Sequence, residues 1–233
     1  MRRGYDKGIN DLLLLVRHSN PIGNVFNPWR DVDSECDLSS RAPLVRARHL
    51  RHYLETRLKT ARYLLVGEAL GYQGGHFSGI AMTSERILLG YFGGDGIHPH
   101  DVLPRIVPHR TSRPDIIPKG FTEPTATIVW RTLMKEGVLP GKFVLWNTFP
   151  WHPFNEKKGM LSNRRPTAEE IQYGYAPLER ILGLFPGAIV IALGKIAATS
   201  LAVWQIRCHA VRHPANGGAG EFRLQIHEIL RKT

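Results

Sequence analysis

A chain of 233 residues with 42% hydrophobic content is long enough to bury one sizeable core, and no low-complexity linker divides it into two. Its formal net charge of +11 favours polyanionic partners, nucleic acid first among them, because a basic surface raises the rate of encounter with phosphates. Its two cysteines, Cys36 and Cys208, lack CxxC spacing, and none of the 11 histidines falls in an HExxH pairing; a disulfide framework, a cysteine-ligated zinc site and a four-cysteine iron–sulfur cluster are unsupported, and neither metal nor cofactor is expected.

Residues 1–42 read as an irregular amino-terminal extension packed on one domain. Within it Ile9–Val16 has the spacing of a short helix, and Asn27-Pro28-Trp29-Arg30 reads as an anchored turn. The apolar run Leu12–Val16 is too short to span a bilayer and no small-residue cleavage site follows it, so the expected location is the cytoplasm, on the nucleoid if the source is bacterial. A helix over Pro43–Thr60 places Leu44, Leu50, Tyr53, Leu54 and Leu58 largely on one face, with arginines among the other positions. Tyr63–Val66 is the first of four short runs of aliphatic and β-branched residues that read as buried parallel strands; the others are Phe143–Trp146, Ala188–Leu193 and Cys208–Val211.

Between the first two strands lies Tyr91–Gly120, rich in proline and glycine and without a period, which reads as a functional or covering loop, and then a helix over Thr122–Glu136 that stops at Gly137. Thr167-Ala168-Glu169-Glu170, just after Pro166, is a capping-box pattern that starts a helix running to about Leu184. In the last helix Phe222, Ile226, Ile229 and Leu230 share a face, and Arg231 and Lys232 suit its carboxyl end. Strands alternating with helices predict an α/β fold: a single three-layer α/β/α domain, residues 1–233, around a four-stranded parallel sheet. Ligands of such sheets bind beyond the carboxyl ends of the strands.

The residues at those ends carry the chemistry. The first strand runs into Gly67-Glu68-Ala69-Leu70-Gly71, followed by Gly74-Gly75, Gly79 and Thr83-Ser84-Glu85. So many glycines let backbone N–H groups approach a ligand, yet neither GxGxxG nor GxxxxGK[ST] is present. This stretch resembles the first signature of uracil-DNA glycosylases. Gly67–Gly71 is similar to the GEAPG of the thermophile-type family and to GQDPY in another, and Gly74-Gly75, Gly79 and Thr83-Ser84-Glu85 resemble a GG…G…TGD pattern. The resemblance continues through Trp146-Asn147, Asn163-Arg164-Arg165-Pro166, Gly194-Lys195 and His213-Pro214, and covers about residues 60 to 230.

The resemblance implies a DNA repair glycosylase without metal or cofactor, monomeric, acting on uracil in DNA and leaving an abasic site. It implies that Asn147 reads the base edge and that His213 donates a hydrogen bond to the anion developing on the departing base. The family's water-activating aspartate falls on Ala69, which leaves Glu68 or Glu85 as the carboxylate. Gly67, Glu68, Ala69, Leu70 and Gly71 line the base pocket, with Phe77 or Met82 in the place of the stacking aromatic. Phosphates fall to Ser84, Lys157, Lys158, Arg164, Arg165, Lys195, Ala215, Asn216 and Gly217. Because Ala69 and Met82 depart from the pattern, two alternatives stay open: a protein that binds uracil or abasic DNA without turnover, and a glycosylase for another deaminated base such as hypoxanthine.

Overall fold

The computed structural model describes residues 2–20 and 23–233. Its amino-terminal part is more regular than expected. Arg2–His18 forms a helix, α1, in which Ile9, Leu12, Leu13 and Val16 are buried, the i, i+3, i+4, i+7 stripe of a helix lying on a core. The Ile9–Val16 reading caught that stripe and missed the polar flanks, which carry no period of their own. The turn after α1 is anchored as its residues suggested: Asn27 Nδ2 donates to the carbonyl of Val16 at 2.7 Å, and its Oδ1 accepts from the Trp29 N–H at 3.1 Å. Two residues then form β1 (Val25–Phe26), which pairs antiparallel with β4 (His152–Pro153).

The central sheet is built from β2 (Tyr63–Ala69), β3 (Phe143–Phe149), β5 (Ile189–Leu193) and β6 (His209–Val211), in the order β3-β2-β5-β6 and parallel throughout. β2 lies in the middle and keeps Leu64, Leu65 and Val66 wholly buried, which is why the strand reads as an unbroken apolar run rather than an alternation. The helices that flank the sheet are α2 (Ala42–Glu55), α6 (Pro124–Lys135), α8 (Tyr175–Leu184), α9 (Lys195–Val203) and α10 (Ala219–Lys232); shorter ones are α3 (Gly75–Ser78), α4 (Glu85–Leu88), α5 (Pro99–Val102) and α7 (Ala168–Tyr173). The fold is therefore the expected α/β domain.

Three boundaries differ from expectation. β2 and β3 continue past Val66 and Trp146 through Ala69 and Phe149, so the glycine-rich segment begins inside the sheet with Gly67 paired to Asn147. α2 ends at Glu55, five residues before Thr60, and Arg57 turns inward to donate to the carbonyls of Tyr53, Val102 and Phe143 at 3.0 Å each, tying helix, covering loop and sheet together. The helix started by the Thr167 capping box, with Glu170 N–H on Thr167 Oγ1 at 3.2 Å, is interrupted at Gly174, where a Cβ would overlap the carbonyl of Thr148 at the end of β3. Among the described residues no helix is long and apolar enough to cross a membrane.

Candidate active site

The carboxyl ends of β2, β5 and β6 open on a cleft of about 440 Å³. Of the residues singled out in the sequence, Glu68, Arg164, Arg165, Lys195, His213, Ala215 and Asn216 line it; Asn163, Leu193, Gly194, Ile196 and Arg212 complete the wall. The order of short motifs along the chain is thus converted by the parallel sheet into one surface, since every β-to-α connection leaves from the same edge.

His213 follows β6 in the wall of this cleft. Its Nδ1 accepts the N–H of Ala215 at 3.1 Å, so in the neutral ring the proton sits on Nε2. Burial, with Arg212 beside it, pushes the imidazole below its ordinary value and keeps it neutral near pH 7. A Cβ on Gly194, were there one, would lie 3.0 Å from the Cβ of His213, so glycine is what lets the start of α9 and the histidine share this corner. Gly194 has φ +87° and leads directly into α9, whose first N–H groups face outward without intrahelical partners. Asn216 and Gly217, at φ +53° and +78°, form the tight exposed turn before α10.

Glu68 stands on the other strand end. Its backbone carbonyl accepts from Thr148 Oγ1 at 2.8 Å, which locks the end of β2 to β3, while its carboxylate makes no hydrogen bond among the described residues. Burial pushes that carboxyl up and the nearby Arg165 guanidinium pulls it back down. Arg165 is exposed and has no partner among the described residues, whereas Arg164 is fully engaged: it forms a two-oxygen ion pair with Glu170, at 2.6 Å to Oε1 and 2.7 Å to Oε2, and donates to the carbonyls of Phe154, Arg165 and Asn24. Lys195 is exposed at the cleft edge; Lys157 and Lys158 are exposed on a separate turn outside its lining.

Asn147 lies on β3 and is not among the residues that line the cleft. It is buried, its Oδ1 fills the space a Gly67 side chain would take, and its Nδ2 has no partner among the described residues. Met82 reaches the same spot: its Sδ and Cε lie 3.5 Å from where a Gly67 Cβ would be, and its backbone is held at φ +46°. Gly67, Asn147 and Met82 are therefore brought together, while Ala69 ends the strand and Leu70 and Gly71 lead out of it, with Leu70 N–H on the Trp151 carbonyl at 3.2 Å.

Gly67, Ala69, Leu70, Gly71, Met82, Asn147 and Gly217, like Lys157 and Lys158, fall outside the cleft lining, and three further expected residues are buried away from it. Phe77 is fully buried and stacks on Phe121 with centroids 4.0 Å apart and planes 5° apart, so it serves a small satellite core. Ser84 is buried beneath the surface, out of reach of a phosphate. Glu85 is buried and its carboxylate is fully engaged: Oε1 accepts from the Thr111 N–H at 2.6 Å, Thr111 Oγ1 at 3.1 Å and the Ser112 N–H at 2.9 Å, and Oε2 takes the Ser112 hydroxyl. Its partners lie in the covering loop, 26 residues on, where spacing could not reveal them.

Two contributors escaped the sequence reading of the site. Asn163 carried a signal, since it opens the Asn163–Pro166 motif; its Oδ1 accepts from the Tyr72 N–H at 3.1 Å and so joins that segment to the glycine-rich turn. Behind the turn a buried chain of polar groups runs from Asp33 through His76 (3.1 Å) and His152 (3.0 Å) to the Ser162 carbonyl (2.8 Å), with Phe26 stacked on His76 at 3.9 Å. Among the described residues no group of three or more His, Cys, Asp or Glu side chains is arranged to hold a metal ion.

The family model of the uracil DNA glycosylase superfamily matches residues 55–225, which include every residue of this cleft. The chain belongs to that superfamily, and so to the DNA glycosylases. No curated protein matches it. Among solved structures it is similar to the crystal structure of wild-type Pedobacter heparinus SMUG2, with a TM-score of 0.60 over 97% of both chains and 13% sequence identity, a likeness of fold.

Proposed function

We propose that the protein is a monofunctional uracil-DNA glycosylase that hydrolyses the N-glycosidic bond of a flipped-out uracil, releasing the free base and leaving an abasic site in intact DNA. The observation that carries this reading is the state of His213: a neutral ring whose Nδ1 is occupied by the Ala215 N–H and whose Nε2–H remains as a donor in the cleft wall. A neutral donor of this kind stabilises negative charge as it develops on a base carbonyl, and it does so without having to deliver a full proton. As the bond from C1′ to the base breaks, its electrons leave with the uracil. Water then adds hydroxyl to C1′, and its proton goes to the departing base or to Glu68.

Glu68 is the carboxylate of the reaction, orienting that water and opposing the positive charge on the sugar, since it lines the cleft with its oxygens unpaired. Asn147 reads the base: its free Nδ2 suits a base carbonyl and its Oδ1 suits the neighbouring N–H, with Met82 flanking the ring. The start of α9, the Asn216-Gly217 turn, Lys195 and Arg165 hold backbone phosphates, which is where the +11 net charge is used. The protein acts as a monomer in this reading.

The test is single-turnover cleavage of oligonucleotides carrying uracil, hypoxanthine or an abasic site, with and without alkali. Uracil release with strand breaks only after alkali is expected. His213→Ala should slow release by about 10²- to 10³-fold, the usual cost of one such donor. Asn147→Asp should slow it comparably, because a carboxylate offers the base carbonyl no donor. Unchanged release by a folded His213→Ala variant, or strand scission without alkali, would overturn the assignment.

A further inference from the structure

Among the described residues four buried side-chain polar atoms have no hydrogen-bond partner: Ser84 Oγ, Glu123 Oε2, Trp146 Nε1 and Asn147 Nδ2. Glu123 supplies the single carboxyl group among them, and a buried carboxyl without a partner is the most costly of these to keep. The residue as a whole retains some exposure, but Oε2 is sealed from solvent.

Ordinary structural roles do not account for it. Glu123 occupies the position before α6, yet its side chain makes no capping hydrogen bond there, forgoing a contribution of about 0.5–2 kcal/mol. No cation forms a salt bridge with it among the described residues, and burial alone pushes its carboxyl up to about 7. The side chain is turned instead to the glycine-rich turn. A Cβ on Gly74 would lie 2.7 Å from Glu123 Cδ and would overlap Oε2; a Cβ on Gly71 would lie 3.8 Å from Oε1. The same Gly71 position is 3.5 Å from Oδ1 and 3.6 Å from Nδ2 of Asn163, which lines the cleft. Glu123 thus occupies the space that two glycines leave open, and only the Gly71 position separates it from an amide of the cleft wall.

Two unpartnered polar groups therefore bracket the segment from Gly67 to Gly75, Asn147 at its strand end and Glu123 at its turn. A protonated carboxyl presents an O–H donor beside a C=O acceptor, as an amide does. The O–H suits a ring carbonyl, and a deaminated pyrimidine carries two of these, one on each side of its single ring N–H. We propose that Glu123 is a second base-reading group of this site, whose protonated carboxyl donates its O–H to one ring carbonyl of a flipped deaminated base while Asn147 pairs with the ring N–H and the other carbonyl. The proposal rests on the glycosylase reading above and adds a specificity-determining residue to it.

Binding to uncleavable DNA separates this from a packing role. The probes are a duplex carrying 2′-fluoro-2′-deoxyuridine and the same duplex with a tetrahydrofuran abasic analogue, measured from about pH 6 to about pH 8. Burial pushes the His213 ring below its ordinary value. The loop residues that face Glu123 are uncharged glycines and Asn163, and the buried rings of His76 and His152 are turned to Asp33 and Ser162. The parent protein should prefer uracil DNA over abasic DNA, and lose that preference as the pH rises and the carboxyl gives up its donor. Glu123→Ala should lose about tenfold of the preference with unchanged affinity for abasic DNA, the size of one buried hydrogen bond. Glu123→Gln should keep the preference and make it independent of pH.

A folded Glu123→Ala variant with the parental preference would overturn the proposal, as would a Glu123→Gln variant that retains the parental pH dependence; the second result is decisive even if the alanine variant does not fold. If the parent releases uracil and these variants behave as the parent does, the Glu123 proposal alone falls. If the parent neither releases uracil nor prefers uracil DNA, the glycosylase reading falls and takes this proposal with it.

Discussion

Glu68 and Glu85 bound the same glycine-rich stretch and have equal claims in the sequence, yet the two ends of that stretch are built in opposite ways. At the buried start of α4, Glu85 receives donors from Thr111 and Ser112 on both of its oxygens and holds the covering loop onto the domain. At the cleft end of β2, Glu68 is held only through its backbone, and its carboxylate is left free. The same division runs through the molecule. Arg46 is locked to Asp37 in a fully buried ion pair and His49 has both ring nitrogens occupied, whereas Arg165 and Lys195 have no ion-pair partner among the described residues around the cleft. A polar side chain whose hydrogen-bonding capacity is filled by its own fold belongs to the scaffold; one with capacity to spare, facing a cleft, is available to a ligand.

The largest effect should come from breaking the buried end. Glu85→Ala leaves the Thr111 and Ser112 donors buried without partners and should cost about 3–5 kcal/mol in denaturant unfolding, while Glu68→Ala should stay within about 0.5 kcal/mol. Rates should run the other way: Glu68→Gln should slow single-turnover base release by about 10²-fold or more, and Glu85→Gln, if it folds, should not. A stable Glu85→Ala protein with impaired release would invert the comparison.

Next in size is the behaviour of the scaffold in acid. His49 donates Nδ1–H to the Ser78 carbonyl at 3.1 Å and accepts the His109 N–H on Nε2 at 3.2 Å, and burial depresses its pKa to about 4 from an ordinary 6.5. With the folded value below the unfolded one, the unfolded chain binds more protons between these limits, so stability is full above about 6.5 and is lost as the pH falls towards 4. The whole depression is worth roughly 3 kcal/mol. His49→Gln cannot titrate and should flatten the dependence of urea stability on pH by the uptake of about one proton; an unchanged slope would remove His49 from the scaffold.

The smallest effect sharpens the comparison within one dipeptide. Arg164 is ion-paired to Glu170 and Arg165 is free, so Arg165→Gln should lower the slope of DNA affinity against salt by about 1, with no change in base choice. Arg164→Gln should leave that slope alone and cost about 1–3 kcal/mol of stability. Equal salt effects of the two changes would show that the ion pair opens when DNA binds.

The sheet was legible because β2, β3 and β5 begin as buried, nearly unbroken apolar runs, and the cleft was legible because parallel strands deliver Glu68, Gly194-Lys195 and His213-Pro214 to one edge. The amino-terminal helix was only half legible, since four buried residues mark its stripe and its flanks are polar. What the sequence could not supply was pairing across long separations. Nothing near Glu85 announces Thr111 and Ser112, nothing near Phe77 announces Phe121, and Arg164 reads as a free cation until Glu170 is folded against it. Glu123 was passed over because a glutamate before a helix looks like an ordinary helix start; its missing cap bond and its contact with Gly71 and Gly74 exist only in three dimensions.

The buried chain from Asp33 to Ser162 has more contacts than hydrogens to fill them. There are three contacts, Asp33 to His76, His76 to His152 and His152 to the carbonyl of Ser162, and burial lowers His76 to about 4 and His152 to about 3, so both rings are neutral near pH 7. Two neutral rings carry two hydrogens, and a carbonyl oxygen cannot contribute a third. One contact in the chain is therefore always without its hydrogen, and the vacancy can move from one end to the other as the rings change tautomer. A proton taken up by His76 would fill the vacancy, whereas a proton taken up by His49 ejects the His109 N–H from its acceptor. Acid thus completes hydrogen bonding beneath the glycine-rich turn while breaking it one helix away, and the two rings, both with pKa near 4, titrate with opposite consequences for the bonds around them.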